Sequence, residues 1–425
     1  MNILFDSFAD IWEFFEAIWQ AISVFWFIVL PVAFYYLFKL LWMDFAQEKF
    51  AKSIKWTMLE IIPPRDIEKS PKPMESIYAG LTGIMRGFNA FEEFVEGMFI
   101  LKFSLEIVSN EGSVHFYIRT PKDFKNLVEA HIYAQYPEAE IMEVPDYVDE
   151  VPKVIPNKNW DLWGCDFELT KPDPYPIKSY TWFEESITGT MIDPLASLIE
   201  TIGKLGPEQK IWLQFVITPE KDTWYNTGRE LIEELTGRGG KTAGFFEKLL
   251  GDLGDIFQGI FGGIFGPVEF AKKEENGDKE APLEFRLTPG EKDVLKALES
   301  GIGKSVFKTK MRFIYLGKRE NFDKSSVSSF MGGIRQFADM NLNSFKIYDR
   351  SKTYALHLFA DARMLYRQRK IFRRYKDRDL GGATFILNTE ELATVFHMPD
   401  MSVMAPALHK VEAKKGGAPA NLPIG

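Results

Sequence analysis

The densest group of residues able to do chemistry is RMLYRQRKIFRRYKDRD. It holds Arg363, Arg367, Arg369, Lys370, Arg373, Arg374, Lys376 and Arg378, with Tyr366, Phe372 and Tyr375 interleaved. Guanidinium and ammonium groups neutralise phosphates, and aromatic rings between them offer surfaces on which bases stack. The same mixture suits anionic lipid headgroups or an acidic protein partner. It also suits a helix whose charges are solvated and in part paired with Asp377 and Asp379. All four readings stay open at this level. The chain as a whole is acidic, with a formal net charge of −9, so any grip on nucleic acid is local.

Other chemistry-bearing motifs are weaker. GIGKS (301–305) resembles the end of a phosphate-binding loop, but the full motif needs glycine where Leu298 stands. A helical pattern also precedes it where a strand is required, so it reads as a helix stop before a strand. His115, His131, His357, His397 and His409 fall in no metal-ligand spacing. The single cysteine, Cys165, excludes an internal disulfide and a Cys-based zinc site, and it fits a reducing, cytosolic body. No GxSxG elbow is present, and Glu92-Glu93 and Glu184-Glu185 read as solvated charges. The expectation is a protein that is not an enzyme, with no catalytic residues, no cofactor and no metal.

The elements that must carry these residues begin with an anchor. From Ala17 to Phe38 no residue is charged; at 1.5 Å per residue this gives roughly 33 Å of helix, enough to cross a bilayer core. Trp19, Tyr35, Tyr36 and Trp42 sit near its ends, where amphipathic rings prefer the interface, and Trp26 and Pro31 fall inside it. Asp6, Asp10, Glu13 and Glu16 precede it with no Lys or Arg, unlike a signal peptide. Lys39, Lys49, Lys52 and Lys55 follow it, which predicts an extracytoplasmic N-terminus (1–16), a span (17–38) in the inner membrane, a juxtamembrane helix (39–54) and a cytoplasmic body.

In the body, 425 residues suggest two domains or a duplicated unit. KWTMLEIIPP alternates like a strand, and residues 71–88 have helical spacing. ILKFSLEIVS and SVHFYIRT alternate around Asn110-Glu111-Gly112, a hairpin signal. Residues 121–135 read as a helix and AEIMEV as a strand. Over 55–145 the order is β-α-β-β-α-β, the ferredoxin-like split unit. Residues 146–162, rich in Pro, Asp and Asn, read as a linker. A second such half is expected over 163–350. It has CDFELTK as a strand, DPLASLIETIGKL as a helix with Asp193 as N-cap and Pro194 at its first position, then KIWLQFVITP. KTKMRFIYLGKR, a helix over about 321–338, and SFKIYD follow an insertion at 220–304. Within the insertion, residues 244–270 are rich in Gly, Phe and Ile and read either as a bilayer- or partner-touching loop or as a small packed or mobile segment. Residues 351–412 carry the basic helix and a C-terminal α/β segment, and 413–425 form a flexible tail. The fold class expected is α+β: one transmembrane helix followed by two ferredoxin-like halves.

DPLASLIETIGKLGPEQKIWLQFVITP, LTPGEKDVLKALE and ATFILNTEELATVFHMPDMSVMAPALHKVEAKKGGAPANLP together carry a resemblance. Over 55–425 the chain resembles the membrane-anchored N-terminal region, a domain of unknown function, of VirD/TraG-like type IV secretion and conjugation ATPases from candidate-phylum bacteria. In such proteins a RecA-like motor follows a Lys/Gly/Pro-rich link; this sequence stops at NLPIG. The resemblance implies a subunit of a translocation apparatus that docks a separate motor ATPase to the membrane. The partners expected are membrane lipid, that ATPase, nucleic acid through 363–378, and a second copy of the chain.

Overall fold

The computed structural model describes residues 27, 30–64, 70–183, 192–220, 223–236 and 288–400. Alternation in the sequence decides the sheet. In β1 (Trp56–Ile62), Leu59 and Ile61 point into one core while Met58 points into another on the opposite face. β2 (Phe103–Asn110) and β3 (Ser113–Pro121) form a hairpin closed by Glu111 and Gly112, both at positive φ (56° and 90°). Two left-handed residues in a two-residue loop match the twist of the flanking strands. β4 (Glu140–Val144), β5 (Trp160–Leu169), β6 (Gln209–Pro219), β7 (Val306–Lys318), β8 (Phe345–Ile347) and β9 (Phe385–Asn388) complete a nine-stranded sheet.

The fold is α+β around this one large sheet. Its order is β4-β1-β3-β2-β6-β7-β5-β8, with β9 also on β7, and every registered pair is antiparallel. Between β1 and β4 lie α2 (Lys72–Leu81), the short α3 (Ala90–Phe94) and α4 (Lys125–Gln135). Between β5 and β8 lie α5 (Ala196–Gly203), α6 (Thr223–Leu235), α7 (Pro289–Ile302) and α8 (Ser325–Ile334). The first four strands are placed 4-1-3-2 and the next four 8-5-7-6, so the second set repeats the placement of the first. They meet at β2 and β6, from Phe103 opposite Ile217 to Asn110 opposite Lys210. Each joining strand covers the other's open edge, which removes two unpaired rows of backbone groups.

Apolar helix faces then choose a side. The larger core gathers residues of α2, α4, α5, α8 and α10 (Thr389–Val395) on one face, running from Leu59 through Phe215 to Val395. On the other face, Met58, Val108, Leu162, Trp212 and Ile314 are covered by Ile371, Phe372 and Tyr375 of α9 (Ala360–Lys376) and by Tyr147, Val148, Val151 and Ile155. Residues 146–162, read as a linker, are therefore not free. Five of their apolar side chains are core, Tyr147–Glu150 form a 3-10 turn, and Trp160 already begins β5. α10 starts on a capping box: Asn388 Oδ1 accepts from the N–H of Glu390 and Glu391, and the Glu391 carboxylate accepts from Asn388 N–H.

Other expectations change in detail. The helix at 193–205 begins at Ala196 with Leu195 as N-cap. Asp193 lies outside it, buried, accepting from Leu195 N–H at 2.6 Å and facing His397 at 3.0 Å. Its partner comes from 204 residues away, which local capping rules do not see. Residues 30–53 form one helix, α1, so no break separates its apolar and juxtamembrane parts. Its last turns pack on the body: Trp42 Nε1 donates to Phe94 O at 2.6 Å, Ala46 is buried, and Phe50 meets Phe99 edge-on. Among the described residues no helix is long and apolar enough to cross a membrane. Most of the expected span, with Trp19 and Trp26, lies outside the described residues, as do 244–270 of the insertion and 413–425. Pro31, Tyr35, Tyr36 and Trp42 lie on α1 and are exposed.

Candidate functional site

α9 is built by a stripe: Gln368, Ile371, Phe372 and Tyr375 recur at helical spacing and are the buried residues. Gln368 Nε2 donates to Leu162 O at 2.7 Å and so seats the helix on β5. The remaining faces carry the cations, and the structure sorts them into three groups.

Arg363 and Arg367 tie down the preceding loop. Arg363 donates to Leu356 O, and Arg367 donates to the carbonyls of Lys352 and Tyr354 at 3.1 and 2.6 Å. Arg374 is 3.2 Å from the Asp379 carboxylate. Arg378 leaves the surface cluster altogether. It is 1% exposed, sits at φ 47°, and its guanidinium donates to Glu106, Asp146 and Lys376 O. A buried charge must be paired, and the two carboxylates that pair it lie 272 and 232 residues away in sequence.

The third group is Arg369, Lys370, Arg373 and Lys376. Among the described residues none of these forms an ion pair or a side-chain hydrogen bond. They line a groove of about 480 Å³ with Lys153, Val154, Ile155, Tyr366, Phe372 and Asp377. Five cations thus face one carboxylate over an apolar floor. Lys370 lies 5.6 Å from the Tyr366 ring centroid and Lys376 5.5 Å from that of Phe372, close enough for cation–π attraction to hold the ammonium groups over the rings. Lys153 is the member that the sequence reading missed; its only signal is a lone lysine among prolines and valines.

A buried polar row fixes α9 from below. Glu106, Gln214, Arg312 and Asp166 stand opposite one another across β2, β6, β7 and β5. Arg312 donates to Asp166 at 2.8 Å, to Gln214 at 3.3 Å and to Arg374 O at 2.8 Å; Gln214 donates to Glu106 and to Tyr375 O. Lys310 pairs with Asp166 at 2.8 Å and donates to Ala383 O at 2.7 Å. The tail carbonyls of Arg374 and Tyr375 each accept a backbone N–H, from Asp379 and Arg378, and a second bond from this row. Burial pushes the Glu106 carboxyl up, but Arg378 beside it and bonds from Arg378, Ser104 and Tyr147 hold it below the ordinary glutamate range. Burial lowers Lys102, whose ammonium donates to Arg378 O, to about 8. Lys310 and Arg312 at alternate positions at the head of the apolar run Phe313–Leu316 were the available signal.

A second cavity of about 420 Å³ lies between α7, α10 and residues 176–182, with Ser179, Lys296, Asn388 and Glu391 on its wall. Burial pushes Glu391 up to about 8, against two backbone N–H donors from Ile177 and Asn388. Beside it Lys304 of GIGKS is held between the carboxylates of Glu75 and Glu390. That lysine is neutralised within the protein and is not free to meet a phosphate. α7 ends at Ile302 and β7 begins at Val306. Cys165 is buried, and burial pushes its thiol up. Among the described residues no group of three His, Cys, Asp or Glu could hold a metal ion. The groove beside α9 sets five cations over an apolar floor.

Residues 43–410 match the model of a family described as Domain of unknown function (DUF8128). No curated protein matches the chain. The match takes in all nine strands, α9 and the groove beside it, and the chain belongs to the DUF8128 family.

Proposed function

We propose that the protein is a non-enzymatic, membrane-anchored subunit of a translocation apparatus of the type IV secretion or conjugation kind, docking a separate cytoplasmic motor ATPase to the bilayer. One observation carries the anchor. From 30 to 45 every side chain of α1 except Met43 is exposed, with Phe34, Phe38, Leu40 and Phe45 all near 60%. A helix apolar on all its faces finds no burial on this body, and lipid supplies it. The uncharged residues from Ala17 onward extend that stretch to a spanning length. Lys39, Lys49, Lys52 and Lys55 put the body on the cytoplasmic side of the inner membrane, with the N-terminus outside. The repeated 4-1-3-2 strand placement supports reading the body as two ferredoxin-like halves. The sequence resemblance supports the apparatus and the motor partner.

Membranes from cells making the full chain should retain it through high-salt and alkaline washes and release it to detergent. Release by salt alone would refute the anchor. In detergent the chain should then co-purify with a motor ATPase encoded beside it, and a purified pair that shows no association would refute the docking role. A second reading is nucleic-acid binding through the α9 groove. It is favoured by five cations against one carboxylate and by Tyr366, which is 64% exposed at the rim.

A further inference from the structure

α3 is a helix of five residues that sequence and packing take unusual care to hold. An isolated helix of that length does not persist in water. Here Asn89 Oδ1 accepts from Glu92 N–H at 2.9 Å, and the Glu92 carboxylate accepts from Asn89 N–H at 2.9 Å. Arg86 is 3.7 Å from Glu92 and donates to the Met98 sulfur. The far end is clamped to α1: Lys39 sits 5.1 Å over the Phe94 ring, and Trp42 donates to Phe94 O. Gly97, at φ 69°, lies so close that a Cβ there would fall 2.2 Å from the Ala46 carbonyl carbon. Lys39, Trp42 and Ala46 recur at i, i+3 and i+7, so one face of α1 receives the whole segment.

The care is not spent on burying α3. Phe91 and Val95, one turn apart on a single stripe, are 61% and 52% exposed. They stand beside the stretch of α1 whose other faces expose Phe38, Leu41 and Phe45, and where Trp42, Lys39 and Asp44 mark a boundary between apolar and charged residues. We propose that α3 is a second membrane contact, with Phe91 and Val95 seated in the interfacial layer of the bilayer that holds α1. This rests on the reading of α1 as an anchor. Val95 directly follows Phe94, which Lys39 and Trp42 of α1 hold, and the level of this clamp along α1 is where interfacial helices lie. Glu92, Glu93 and Glu96 surround the stripe, so the contact is apolar and does not depend on anionic lipid. A single helix leaves a tethered body free to swing; a second contact beside its root fixes the tilt.

Probes at three positions test this in the full chain reconstituted in phosphatidylcholine vesicles. Phe91→Cys, Leu41→Cys and Tyr133→Cys are each labelled with an environment-sensitive fluorophore; the native Cys165 is fully buried. The expected result is that nitroxide-labelled lipid quenches the probes at 41 and 91 at least about twofold more than the probe at 133. Aqueous iodide should do the reverse, and added phosphatidylserine should leave the pattern unchanged. A probe at 91 that follows 133 while 41 follows lipid overturns the proposal and leaves the anchor standing. Probes at 41 and 91 that both follow 133 overturn the anchor as well.

Discussion

Replacing Arg378 by methionine tests whether this arginine is a structural cation or a member of the surface cluster. Its guanidinium makes five hydrogen bonds, to Glu106, Asp146 and Lys376 O, at 1% exposure. Methionine fills much of the volume and leaves Glu106, itself fully buried, without its counter-charge. Breaking a buried pair from one side costs about 3–5 kcal/mol, a large share of the roughly 5–15 kcal/mol that holds a domain folded. Arg373→Met, on the exposed rim, should stay within about 0.5 kcal/mol of wild type. Denaturant unfolding of the detergent-solubilised full chain reads both. Trp212, 5.0 Å from the Tyr147 ring and 5.4 Å from that of Tyr375, contributes a local fluorescence signal.

The pH dependence sharpens the test. In the wild type the Glu106 carboxyl is held below its ordinary range, so its stabilising contribution is complete above the unfolded value of about 4.3 and is lost as pH falls through the folded value. Without Arg378, burial, the largest single influence on this carboxyl, is opposed only by the bonds from Ser104 and Tyr147, and the carboxyl moves up. The folded variant then keeps the proton that the unfolded chain releases, and its stability declines as pH rises. The penalty of Arg378→Met should therefore be larger at pH 7 than at pH 4. Adding Glu106→Gln to the variant should recover about 1–3 kcal/mol, because the fully buried unpaired charge is gone and only Asp146, partly exposed, has lost its partner. A penalty no greater than that of Arg373→Met, or one equal at the two pH values, refutes the reasoning.

Arg369→Gln and Arg373→Gln should each lower the slope of log affinity against log salt by about 0.7 for a single strand, while Arg363→Gln and Arg367→Gln, whose groups hold carbonyls, should leave it nearly unchanged. Unaltered slopes for the first pair would end the nucleic-acid reading. Gly97→Ala should cost about 1–3 kcal/mol through the left-handed backbone and the 2.2 Å approach to Ala46; the readout is lost hydrogen-exchange protection over 42–50. Lys304→Met should cost about 1–2 kcal/mol, discounted for partial exposure, by stranding Glu75 and Glu390. Adding ATP to the wild type should leave its melting temperature unchanged, and a rise would reopen GIGKS as a phosphate site.

Local signals in this chain are strong because each reports a property of neighbouring residues. Period-2 runs such as SLEIV and SVHFYIRT show where one side of a strand is wet or differently packed, and Glu111-Gly112 supplies the left-handed turn between them. The 368–371–372–375 stripe marks the buried face of α9. Locating the candidate site took more. Four of the eight cations singled out in the sequence line the groove; the rest serve the loop before α9, Asp379 or the buried row. A run of arginines announces charge, yet whether each charge is free depends on carboxylates and carbonyls brought from other strands. Lys153 joins the groove only because residues 147–155 fold onto the sheet.

By itself the sequence determined most strands and longer helices of the body, the uncharged N-terminal stretch, the single cysteine and the position of the basic helix. Periodicity, composition and charge are properties of the chain as a string, and they act before it folds. Only the tertiary structure decided that β2 and β6 join the strand sets into one sheet, that Asp193 serves His397 instead of a helix end, and that Arg378 is buried against Glu106. Those outcomes depend on which distant surfaces meet. A desolvated charge or an open sheet edge has no preferred partner until the rest of the chain presents one.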